Sequence, residues 1–180
     1  MIVTIEEFNT YTNDFNDASD IVDMKNGFIQ TAQDVVSDHI GYNVEETTHD
    51  EYLSNGQATP FLWLYGLPVT KVNSISISGS DVDLTSFTIF GRTLRLNDGV
   101  WPIGIGNYHV NYDAGWTAET APSVIKDTIK QIASLLLQEA GGNIGITGKS
   151  MSENSRTYIN YTNYDKWLKK LENYVVKRMV

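Results

Sequence analysis

The spacing of apolar residues changes twice along this chain, and the two changes bound the folds open to it. From Ser19 to Ile40 apolar side chains recur at three and four: Ile21, Met24, Phe28, Ala32, Val35, Val36 and Ile40. That is one face of a helix. From Tyr42 to Trp116 the repeat drops to two, with Gly, Pro, Asn and Asp between the runs, as in strands joined by turns. After Pro122 the helical spacing returns in Ile125, Ile129, Ile132, Leu135, Leu136 and Ala140. A βαβ nucleotide-binding sheet would alternate the two kinds of element; segregation implies an α+β fold. The expectation is a helical bundle, of N-terminal helices (residues 1-41) and two C-terminal helices with an arm (residues 118-180), carrying an inserted antiparallel β-rich block (residues 42-117).

Local signals refine this. Thr4-x-x-Glu7 has the capping-box pattern and predicts a short first helix that stops near Asn13. Gly41 supplies a left-handed stop for the second. Alternation in Phe61, Trp63 and Tyr65, in Val72, Ile75 and Ile77, in Phe87 and Ile89, in Leu94 and Leu96, and in Tyr108, Val110 and Tyr112 predicts five or six short antiparallel strands. Pro122 suits the first turn of the next helix, and Gly141-Gly142 ends it. Residues 143-160 read as a long loop with a short strand near Arg156 to Tyr161. Thr162-x-x-Asp165 then caps a last helix whose apolar side holds Trp167, Leu168, Leu171, Tyr174, Val175 and Met179.

Composition removes whole classes of chemistry. There is no cysteine, hence no disulfide, thiolate nucleophile or sulfur-held zinc. The net charge is -9, with 13 Lys and Arg against 22 Asp and Glu. Residues 1-55 contain Lys25 as their only basic side chain, while Lys166, Lys169, Lys170, Lys177 and Arg178 crowd the end. Such a balance argues against tight DNA binding, which needs cations to neutralise phosphates, and suits a surface that DNA slides past. The start of the chain lacks the pattern of a signal peptide, and no stretch approaches the roughly 18 apolar residues of a membrane span. A soluble, cytoplasmic product is expected.

Catalytic motifs fail on inspection. Gly148-Lys149-Ser150 lacks the glycine that a phosphate loop needs five positions earlier, where Asn143 stands, and it follows a helix rather than a strand. Gly104-Ile105-Gly106 reads as a turn. His39, His49 and His109 share no ligand spacing, and no Gly-x-Ser-x-Gly elbow is present. His49-Asp50-Glu51, with Glu45 and Glu46, reads as a solvated acidic loop before it reads as a cation site. Asp14, Asp17, Asp20 and Asp23 lack the glycine and terminal glutamate of a calcium loop and read as charges at a helix start. No catalytic residue, metal or cofactor is expected. The aromatics, 11% of the chain, favour strand core and subunit interface, because Trp63 sits in an alternating run. The alternative function is a carbohydrate- or host-binding β module using these aromatics as its recognition face.

Four segments in order carry a resemblance. After an N-terminal Ile-Val-Thr and its short helix come Leu67-Pro68-Val69-Thr70-Lys71-Val72-Asn73-Ser74-Ile75, then Gly106 to Trp116 in a Gly-x-Tyr-x-Val-x-Tyr-x-Ala-Gly-Trp pattern. Ala121-Pro122-Ser123-Val124-Ile125-Lys126 follows, and then Lys149 to Tyr158. Together they resemble the head-tail connector (adaptor) proteins of tailed bacteriophages and prophages, whose shorter members lack the β block. The resemblance implies a non-enzymatic structural subunit in a ring of about twelve copies, a cyclic arrangement that needs two different complementary faces. The ring would sit below the portal protein and join the DNA-filled head to a stopper or tail-completion protein, with DNA passing through the middle. It implies a place in the virion, with assembly in the host cytoplasm, and no membrane. Portal docking carries over to the C-terminal segment, with Tyr158, Tyr161, Tyr164, Trp167, Lys169, Lys170, Tyr174, Lys177 and Arg178 as contact residues. Asp17, Asp20 and Asp23 would form an acidic face flanking the DNA channel. Deleting residues 161-180 is expected to abolish joining and leave a soluble fold.

Overall fold

A computed structural model describes residues 1-140, 148-151, 154-157 and 164-176. The chain gathers into two compact units, Met1–Gly41 with Thr120–Val180, and Tyr42–Glu119.

The first unit is helical. Helix α1, Ile5–Thr12, starts from Thr4, whose hydroxyl accepts from the Glu7 amide at 3.2 Å, while the Glu7 carboxylate accepts from the Thr4 amide at 3.4 Å. Helix α2, Ser19–Ile40, ends on Gly41 at φ 88°, a left-handed conformation that costs glycine little. Helix α3 is Ser123–Gln138. Pro122 stands one position before it rather than within its first turn, because its ψ of 137° is still extended; its carbonyl accepts from the Ile125 amide.

The buried face of α2 differs from the apolar stripe of the sequence. Ile29, Ala32, Val36 and Ile40 are fully buried, but Lys25 and Gln33 are buried with them, and Ile21, Met24, Phe28 and Val35 are only partly covered. Lys25 is accommodated because its ammonium donates to Asn9 Oδ1 at 3.0 Å and to the Asp14 carbonyl at 2.8 Å, and pairs with the Asp14 carboxylate at 3.2 Å. A buried charge needs such partners. Ile2, Val3, Phe8, Ile125, Ile129 and Ile132 complete the core. Each such side chain contributes about 1.5–3 kcal/mol over an exposed one.

The last helix is shorter than its apolar spacing predicts. Helix α4 is Asp165–Leu168, and the chain tightens into a 3-10 turn over Lys169–Leu171. Tyr164, not Thr162, precedes it, without a capping side chain. Leu171 is fully buried, and the Val176 amide donates to the Ile40 carbonyl at 2.9 Å, so the segment follows the end of α2 instead of extending. Short helices rely on such tertiary contacts.

The second unit holds strands β1 (Thr47–Asn55), β2 (Phe61–Trp63), β3 (Val69–Ile77), β4 (Ser80–Asp81), β5 (Phe87–Phe90), β6 (Thr93–Leu96) and β7 (Gly104–Ala114). They form two antiparallel sheets in the orders β1-β7-β3-β4 and β2-β6-β5. Leu62, Leu64, Phe87 and Leu94 meet Leu53, Val72, Ile75, Tyr108, Val110 and Tyr112 in one core around Trp101, whose indole N–H donates to the Leu94 carbonyl at 2.9 Å. Elsewhere, β8 (Gly148–Met151) and β9 (Asn154–Thr157) pair as a two-stranded ribbon.

Strand β1 overturns the reading of His49-Asp50-Glu51 as a loop. It pairs with β7 from Thr47 opposite Ala114 to Asn55 opposite Gly104. Leu53 is its only buried apolar residue, so the strand has no hydrophobic repeat to read.

Two segments of the resemblance lie side by side. Val69 pairs with Ala114, the Gly115 amide donates to the Pro68 carbonyl at 2.9 Å, and the Thr70 hydroxyl donates to the Asp113 carbonyl at 3.1 Å. Gly115 has φ +114°, and a Cβ there would lie 2.5 Å from the Glu45 carbonyl oxygen, so no larger residue fits. The two ends of this unit also run together: the Trp116 amide donates to the Val44 carbonyl and the Glu46 amide to the Trp116 carbonyl.

Candidate docking surfaces

Among the described residues, no group of three His, Asp or Glu side chains is placed to hold a metal ion, and no helix is long and apolar enough to cross a membrane. The histidines are dispersed. His39 lies near the end of α2, while His49 and His109 project to opposite faces of the β1-β7 pair. On the inner face His49 stacks on Tyr112 at 5.0 Å. The Tyr112 hydroxyl accepts from the Gly66 amide and donates to Glu51 Oε1, both at 2.8 Å. Burial pushes this phenol well above its ordinary range, and the Gly66 N–H offsets only part of that. On the outer face Tyr52 stacks on His109 at 4.5 Å, and His109 Nε2 lies 2.7 Å from the Asp50 carboxylate. These are local networks on opposite faces of one sheet.

The surfaces are more distinctive. In Phe61-Leu62-Trp63-Leu64-Tyr65 both alternating sets are apolar, and the structure reverses the expected sides. Leu62 and Leu64 enter the core, while Phe61, Trp63 and Tyr65 are 40%, 51% and 76% exposed. The two leucines fill the space between the sheets, and the wider aromatic rings take the open face. Pairing of Trp63 with Thr93 and of Thr93 with Phe90 sets Trp63 and Phe90 on that face in one row. Phe61, Arg95 and Thr88 form the next row. The Arg92 guanidinium lies over the Trp63 ring at 5.0 Å. Arg95 is exposed and has no side-chain hydrogen bond or ion pair among the described residues. A cationic, aromatic face thus stands on a unit whose remaining basic residue is Lys71. Sequence spacing could not show it, since neither parity of the strand is polar.

The helical unit presents the opposite charge. On α2 the exposed positions include Asp20, Asp23, Gly27, Gln30, Asp34 and Asp38, three or four residues apart and therefore on one stripe, with Thr31 exposed beside it. No lysine or arginine lies on it, and Lys25 is buried beneath. Asp17 is exposed just before the helix. Asp14 belongs elsewhere than a set of helix-start charges: the Asn16 amide and then Lys25 hold its carboxyl below the usual range.

Of the C-terminal contact residues, Tyr164, Trp167 and Tyr174 are half-buried, and the Tyr164 and Trp167 rings stack at 6.5 Å. The Lys166 ammonium sits 4.6 Å from the Trp167 ring. Lys169 and Lys170 are exposed, and Lys170 donates to Gln131 on α3 at 3.5 Å. Tyr158, Tyr161, Lys177 and Arg178 lie outside the described residues.

Comparison with known proteins fits a chain built from surfaces. The fold is similar to a chain in the neck of an empty gene transfer agent particle computed with C6 symmetry, with a TM-score of 0.64 at 10% identity, over 99% of this chain and 92% of that one. It is similar to one in the neck of the native particle computed with C12 symmetry, with a TM-score of 0.62 at 9% identity, over 99% and 91%. A chain of the native gene transfer agent virion gives 0.64 at 10% identity, over 99% and 92%. No curated protein matches. Head completion protein is the family whose sequence profile matches, over residues 1–138, and with most of the chain so covered it belongs to that family, as a structural subunit of the head-tail connector.

Proposed function

We propose that copies of this chain close into a ring of about twelve below the portal protein, join the DNA-filled head to a stopper or tail-completion protein, and let DNA pass without specific binding. The observation that carries this reading is the family match over residues 1–138. The likeness to chains in necks computed with C6 and C12 symmetry supports a ring. A ring also needs two unlike faces on each subunit, and the chain exposes a carboxylate stripe on one unit and a cationic aromatic sheet on the other. A net charge of -9 suits a channel to which DNA does not adhere, with Asp17, Asp20 and Asp23 beside it. The carbohydrate-binding alternative is not favoured, because a connector accounts for the same exposed aromatics as protein contacts.

The portal contact falls to the C-terminal segment, where Lys166, Lys169 and Lys170 stand beside Tyr164 and Trp167. Basic side chains steer the approach to an acidic surface, and the aromatics anchor it. The subunit is placed in the virion neck after assembly in the host cytoplasm, and it performs no catalysis. Electron microscopy tests this reading. Particles made without the chain should be DNA-filled heads that lack tails, and the chain mixed with its portal should add a ring of density beneath it. Heads and tails that join normally without the chain would overturn it.

A further inference from the structure

We propose that the outward face of the β2-β6-β5 sheet is the surface by which one copy holds the next, and that its occupant is the C-terminal half of α2 on a second copy of this chain. The inference rests on the ring reading and adds to it the two faces that meet.

The sheet face has the composition of a contact centre. Phe61, Trp63 and Phe90 stay 40%, 51% and 54% exposed while leucines beside them are buried. Exposed apolar surface gathered in this way marks a binding site, and Trp and Arg are the side chains most enriched where binding energy concentrates. Arg92 already lies over the Trp63 ring at 5.0 Å, which holds its guanidinium at the aromatic centre before any partner arrives. Arg95, in the neighbouring row, has no anion among the described residues. The face therefore lacks carboxylates at hydrogen-bonding reach of two arginines, around an aromatic centre.

A second copy supplies that complement on α2. Asp20 lies in the first turn of the helix, where the unpaired amides and the helix dipole already favour negative charge. Asp38 lies in the last turn, where the carbonyls disfavour it, and Asp34 lies one turn earlier. Asp34 is met by the neutral Gln30 amide at 2.9 Å, and Asp38 has no hydrogen bond or ion pair among the described residues. These two carboxylates are open to cations from outside, and Arg92 and Arg95 are open to anions. Gln30 and Thr31 leave a low, uncharged surface beside them on which the Trp63 and Phe61 rings can pack. Because the two patches differ and lie on different units, the contact is head-to-tail and propagates from copy to copy.

The absence of cysteine makes the test clean. Particles are assembled with the full chain carrying Thr88→Cys on the sheet face and Thr31→Cys on α2, then oxidised. The expected result is a ladder of disulfide-linked copies, absent from either single variant. In parallel, Arg92→Asp with Arg95→Asp should lower the yield of tailed particles at least about tenfold, since facing like charges repel. Adding Asp34→Arg and Asp38→Arg should restore the yield to within about threefold of wild type. Thermal melting of each variant confirms that it is folded. Antibody-labelled particles that give no ladder, or charge swaps that fail to restore yield, would overturn the proposal and leave the ring reading standing. Absence of the chain from particles would overturn both. Binding of labelled duplex DNA by the wild type, lost in the double arginine variant, would assign the face to nucleic acid and overturn the proposal as well.

Discussion

The hydroxyl of Tyr112 accepts from the Gly66 amide and donates to Glu51 Oε1, a carboxylate oxygen that also lies 3.5 Å from His49 Nδ1. Tyr112→Phe leaves the Gly66 amide and Glu51 Oε1 without it. Removing one side of a buried hydrogen bond costs about 1–3 kcal/mol, which urea unfolding near neutral pH should register. The pH dependence follows from the raised phenol. Its folded pKa lies above the ordinary 10.0, so the stabilisation is complete below about pH 10 and is lost as pH climbs beyond it. The wild type should weaken through that alkaline range, and the Phe variant should lose the part of the slope that Tyr112 contributes. At this scale some of the fold was legible in the residues. Thr4 and Glu7 announce their capping box because the two side chains and two amides involved are sequence-local. Glu51 and Tyr112, 61 positions apart, are joined only by strand register, which no local pattern encodes.

Helices α2 and α3 could be read from spacing because one broad stripe of each is buried, whereas β1 could not be read at all and α4 only in its place, not in its length. Strand β1 has polar side chains at nearly every position and is held by its ladder to β7. In α4 the helical repeat continues past Leu168, but the backbone turns so that Leu171 is buried and Val176 reaches Ile40. That geometry changes what a deletion means. Removing residues 161-180 removes a core side chain and should destabilise the helical unit, so loss of joining would not isolate the docking role. Point changes separate the two. Leu171→Ala should cost about 2–5 kcal/mol, seen as a lower melting temperature. Lys169→Glu with Lys170→Glu should stay within about 0.5 kcal/mol of wild type while lowering the fraction of heads that acquire tails.

For the molecule as a whole, charge is divided by position: carboxylates dominate the first two thirds of the chain, and the last third is basic. If steering by Lys166, Lys169 and Lys170 brings the chain to its portal, association should slow several-fold between about 0.05 and 0.5 M salt, with dissociation changing less. Surface plasmon resonance on immobilised portal would measure both rates, and an association rate indifferent to salt would remove the basic segment from the encounter. The exposed sheet face was the least legible part, because whether an apolar strand turns inward or outward is decided by the shape of a core assembled from distant segments. The pairing of backbone at Val44, Glu46 and Trp116 bears on ancestry as much as on stability. A β module whose entry and exit strands are hydrogen-bonded to each other closes on itself. Lineages could lose it, lengthen it or exchange it for another without redrawing the bundle, so diversification of partners can proceed in one half of the protein while the other stays constrained.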